Sequence, residues 1–219
     1  MKRVLLVLLA VLVAGMAESV TPAFAAEYSH KDAKKQETTV TKVTDLKAGL
    51  RDLWLGHLFW VRNVAVATKY GDSEAAKVAE DKAVKNARAI AGSMEPFYGK
   101  GASDKLFDLL AGHYGAVKGY MTSAYSGDKT GKEAAKDKLI KNADEIAVFL
   151  SGANPYLPKE TLTALLYAHG GHHMAQLDAL AAKDYAGEAR ICGEMKAHMY
   201  VIADALAGGL AKQFPNKIR

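Results

Sequence analysis

With a single cysteine, Cys192, the chain cannot close an internal disulfide, so its core alone must hold the fold. Proline is scarce, five in 219 residues, which excludes a collagen-like or proline-rich extended protein. Long apolar runs are missing beyond the N-terminus, so nothing after residue 25 reads as a stable membrane span. An excess of one charge is missing too. The 29 basic residues are interspersed with 24 acidic ones, and no basic stripe marks a nucleic-acid surface. Period-2 alternation is absent, which leaves no strand signal. Catalytic and cofactor signatures are lacking as well. There is no glycine-rich phosphate loop, no Gly-x-Ser-x-Gly elbow, no Cys-x-x-Cys-His and no His-Glu-x-x-His. The two Glu-x-x-His motifs that a ferritin-like di-iron site needs are not found together on its helices, and enzyme signals are poor.

What is present begins with an export signal. Lys2 and Arg3 form a positive start, residues 4–14 form an apolar run, and Ala23-Phe24-Ala25 offers a signal-peptidase site. Residues 1–25 are therefore expected to be removed after Ala25, sending the protein to the periplasm or beyond the cell. Residues 26–43 are polar and read as a flexible leader.

Residues 44–215 read as one all-α domain. Leu106, Leu109, Leu110, His113, Val117, Tyr120 and Met121 fall on one helical face. Similar periodicity predicts six helices, over 44–70, 73–95, 102–126, 129–151, 158–183 and 185–212. Asp72, Asp128 and Asp184 stand at short turns, where an aspartate caps the following helix. Loops bearing Pro96, Pro155 and Pro158 separate the helix pairs. The pattern repeats every 56 residues: His57, His113 and His169 align, as do Leu53, Leu109 and Leu165. Lys85-Asn86-Ala87 likewise matches Lys141-Asn142-Ala143. The expected architecture is an antiparallel bundle of three helical hairpins of one design.

Each predicted helix carries one polar residue on its apolar face: His57, Asn86, His113, Asn142, His169 and His198. Counting from the turns puts all six about 21 Å from the hairpin ends, at one level. Two readings of such a layer stand side by side. In one, each His bonds the Asn across its hairpin and only locks helix pairing. In the other, His57, His113, His169 and His198 hold a transition metal or a b-type haem. His173, four residues after His169, joins them as a further metal ligand. Met174, Met195, Met199 and Cys192 lie nearby, and imidazole with sulfur donors favours copper. Asn86, Asn142, Met195 and Cys192 are then expected around the ligands. The sequence names no protein partner.

Three stretches also carry a resemblance. Leu53-Trp54-x-x-His57-x-x-Trp60-x-Arg62-Asn63, Asn142-Ala143-Asp144-Glu145-Ile146-Ala147 and Ser151-x-Ala153-Asn154-Pro155 resemble a group of exported all-helical bacterial proteins with no established activity. The likeness spans about residues 45–215 and implies helix and export without a mechanism. Members of that group often have an acid before the first histidine, where this chain has Gly56 and Gly112.

Overall fold

The computed structural model describes residues 30–218, and the export signal expected over residues 1–25 lies outside them. Seven helices follow in order: α1 His30–Tyr70, α2 Ser73–Gly92, α3 Glu95–Tyr98, α4 Lys100–Ser126, α5 Lys129–Ala153, α6 Lys159–Ala182 and α7 Tyr185–Gln213. No strand occurs among the described residues. No helix there is long and apolar enough to cross a membrane.

Two expectations need correction. The first helix starts at His30 rather than near residue 44, so most of the expected leader is helical. Residues 30–48 hold no Gly or Pro, while Ala33, Lys34, Lys35, Gln36 and Glu37 are strong helix formers. The loop at Pro96 is a single helical turn, α3, with proline in its first turn, where a missing N–H costs nothing.

The turns explain the antiparallel pairing. Gly71, Gly127 and Lys183 each adopt a left-handed conformation, with φ of 78°, 77° and 60°, and so end α1, α4 and α6. The next residue is an aspartate in every case. Asp72, Asp128 and Asp184 accept from the backbone N–H of Ala75, Gly131 and Gly187 at 2.9–3.0 Å, which caps α2, α5 and α7. Chain reversal within three residues makes α1–α2, α4–α5 and α6–α7 direct neighbours. Further contacts run from α2 to α4, α5 to α6 and α7 back to α1, which closes the helices into a ring. α6 also touches α1 and α4, so it lies toward the middle and buries residues on several faces.

Two arginine forks stitch the first long helix to the last. Arg51 donates to both carboxylate oxygens of Asp204 at 2.8 and 2.7 Å. Arg62 does the same to Glu188 at 2.6 and 2.8 Å, and Gln176 of α6 adds a third donor at 2.8 Å. The two carboxylates differ in setting. Glu188 is buried, whereas the Asp204 side chain is 31% exposed and shared with Lys47. Removing a charge from the buried pair strands its partner, while an exposed pair is screened. Glu188→Gln is expected to cost about 2 kcal/mol after discounting for the half-exposed Arg62. Asp204→Asn is expected to cost less than about 1 kcal/mol, and urea unfolding of both variants checks the order.

The apolar core falls into two clusters. One gathers Leu50, Trp54, Ile90, Leu109, Leu166 and Leu206, and the other Val61, Val64, Val117, Tyr120, Leu177 and Leu180. Along α1, α4 and α6, the histidines fall near where one cluster gives way to the other.

Candidate metal centre

The rings of His57 from α1, His113 from α4, and His169 and His173 from α6 meet between the two apolar clusters. All four are buried, with exposures of 8, 6, 2 and 1%. One ring nitrogen from each falls within 4.8 Å of the others. Nε2 of His57 is 3.3 Å from Nε2 of His173. His113 stacks on His169 at 5.2 Å between centroids, and His169 meets His173 edge-on at 4.5 Å. His169 and His173 are one helical turn apart, so a single helix presents both to the cluster.

Burial sets the protonation state. It pushes His57 down to about 3, helped by the charge His113 would carry. It pushes His113 down to about 4, with the Asn142 side chain opposing the fall. His169 and His173 are driven well below the ordinary imidazole range by burial and then by their neighbouring imidazoles. Four neutral imidazoles result, each with a lone pair in the plane of its ring. Hydrogen bonds do not use those lone pairs up. His113 Nε2, both nitrogens of His169 and His173 Nδ1 are buried without a partner. Each such atom costs about 1–3 kcal/mol, and native proteins keep few of them. Convergent, neutral and unpaired nitrogen donors can bind a metal ion. At metal–nitrogen distances of about 2.0–2.1 Å, tetrahedral ligands stand about 3.3 Å apart, which the His57–His173 pair already matches.

The remaining layer residues do something else. Asn86 Nδ2 donates to the carbonyl of Leu53 at 3.0 Å, and Asn142 Nδ2 to that of Leu109 at 2.9 Å. His198 Nε2 makes the matching bond to the carbonyl of Leu165 at 2.8 Å. Each acceptor lies four residues before a layer histidine, and each donor 33 residues after its acceptor. These side chains thus bond the neighbouring helix's backbone, through the second lone pair of a carbonyl, and the Asn142 side chain also bears on His113. Gly56 is what lets Asn86 approach, because a Cβ there would stand 2.7 Å from its Nδ2. At Gly112 the corresponding distance to Asn142 is 3.3 Å. The third hairpin has Ala168 at this place and reaches the carbonyl with the longer imidazole.

Of the five expected ligands, four come together and His198 does not. Its ring stacks 6.4 Å from His169, and its Nε2 is already engaged on Leu165. Met195 is fully buried in the cluster that holds Leu50 and Leu206. Cys192 is half-buried near Arg62 and Glu188; burial pushes its thiol up, Arg62 opposes this and Glu188 adds to it. The Cys192 sulfur does not belong to the four-nitrogen group. Arg62 grips Glu188, and Arg51 holds Asp204. Trp54 stands edge-on to His57 and His169 at 6.1 and 6.3 Å. Comparison with protein-family models, curated proteins and solved structures finds no match to this chain.

Proposed function

We propose that this protein binds one transition-metal ion through His57, His113, His169 and His173, with cuprous copper preferred. One observation supports this above the rest. The hairpins are locked by Asn86, Asn142 and His198 on three leucine carbonyls, which leaves the four-ring cluster with no part in that lock. A purely structural layer would have no use for four converging imidazoles, three of which keep a buried nitrogen without a partner.

The choice among metals follows from charge. The ligand group contains no carboxylate, so a bound ion keeps its whole charge inside the core. Burying charge is costly, and a singly charged ion costs less than a doubly charged one. Imidazole suits copper and zinc alike, so this difference tips the preference to Cu(I). A b-type haem fits less well, because the void beside the rings is about 100 Å³ and a porphyrin is several times larger.

We also read the three hairpins as copies of one 56-residue unit, on the shared turn and the shared bond 33 residues apart. The N-terminal segment leads us to read the protein as exported, like the group it resembles.

Anaerobic titration of metal-free protein with Cu(I), against a chromophoric competitor, tests the metal assignment. One equivalent is expected to bind. His113→Ala is expected to weaken binding by about 100-fold or more, since even ligand-supporting residues account for 10–100-fold. His198→Ala should leave affinity nearly unchanged. Binding that ignores the His113 substitution would remove the assignment.

A further inference from the structure

A void of about 100 Å³ lies directly against the histidine cluster. Its walls are apolar, with Ile90, Leu106, Leu166 and Ile202 among them. His57, His113 and His169 also line it, whereas His173 does not, so three rings face the void and the fourth stands behind. Val84 and Ala111, both solvent-exposed, belong to the lining as well, which puts its opening between α2 and α4. Trp54 supplies one more polar group: its buried Nε1–H has no partner and the residue is only 6% exposed.

These features describe a small occupant. A dry apolar cavity of about 150 Å³ takes benzene, so one of about 100 Å³ holds no more than about four heavy atoms. The apolar stretch of the wall favours an uncharged occupant over a hydrated ion. The tryptophan N–H favours an atom that accepts a hydrogen bond. A metal held by four histidines takes a small molecule only as a fifth ligand, and the face shared by His57, His113 and His169 is the one turned to the void.

We propose that this void is a binding site for an uncharged molecule of two or three heavy atoms, of the dioxygen or carbon monoxide class, delivered to the three-histidine face of the cluster. The site exists in the metal-free protein; that its occupant touches a metal rests on the four-histidine reading above.

Two probes keep these parts separate. Xenon under pressure, added to metal-free protein, is expected to shift the ring resonances of His57, His113 and His169 saturably. Ala87→Leu and Ala111→Phe, filling the void from α2 and from α4, should each abolish those shifts while circular dichroism remains helical. Wild-type protein whose histidine resonances ignore xenon overturns the proposal, whatever the variants do. Carbon monoxide added to the Cu(I)-loaded protein should give an infrared C–O band, lost in Ala87→Leu with copper retained. Copper held by the four histidines without such a band overturns access to the metal. Xenon shifts in a protein that binds no copper would sink the metal reading alone and leave the cavity site standing.

Discussion

Metal-free protein should unfold in mild acid, near pH 5, well above the range where carboxylates titrate. The sign follows from the four buried imidazoles. In the unfolded chain each takes up a proton as pH falls through about 6.5. In the folded protein His113 waits until about 4 and His57 until about 3, while His169 and His173 lie lower than ordinary as well. Between these limits the unfolded state binds more protons, so stability falls as pH falls. Near pH 5 the difference approaches four protons, a slope of about 5 kcal/mol per pH unit. A domain with a total stability of about 5–15 kcal/mol does not survive one or two such units. Glu188 and Asp204, held below the usual carboxylate range by Arg62 and Arg51, contribute only further down in pH. Urea titrations at pH 7.5, 6.5 and 5.5 measure the slope. A stability that stays flat across that window would mean the rings are charged or partnered in the folded state. A bound metal stabilises the folded state, where the imidazoles are already neutral, so the loaded protein should hold its fold to lower pH.

How much of this was readable beforehand differs between residues. The helices were legible because apolar spacing is a local property, and Asp72, Asp128 and Asp184 announced the turns by their chemistry. The alignment of His57, His113 and His169 was legible because helix rise converts residue number into height. Which fourth histidine turns inward was not. His173 and His198 both lie on apolar stripes, and the outcome depends on α6, rather than α7, lying toward the middle. That is a property of how the hairpins pack. The partners of Asn86 and Asn142 were hidden for a different reason: the acceptors are backbone carbonyls, which every residue carries. Gly56 and Gly112 were the available signal, since a missing side chain beside a buried amide marks a close approach. Arg62 and Glu188 are 126 residues apart, and one sequence gives no hint that they meet. The helical start at His30 was masked by polarity, which obscures a helix without preventing one.

Replacing His169 by leucine should have two large effects of opposite sign. Ordinarily a buried residue at 2% exposure is costly to change. Here both ring nitrogens are buried without partners, at about 1–3 kcal/mol each, and the ring is ringed by His57, His113, His173 and His198. Leucine has a similar bulk, no polar atoms and a natural place between Leu166 and Leu177 of the two apolar clusters. The cost of reshaping a packed site is about 1–3 kcal/mol, so the net expectation is a metal-free protein more stable by roughly 1–3 kcal/mol. The acid slope should also fall by about one proton, since one fewer imidazole remains neutral in the folded state. Copper affinity should drop at least as far as it does in His113→Ala. A structural layer predicts the reverse pairing, a less stable protein whose metal affinity is either absent from the start or unchanged. The variant thus separates a residue kept for the fold from one kept against it. If His169→Leu loses stability in the metal-free state, the imidazole is partnered after all, and the reason for assigning the cluster to a metal goes with it.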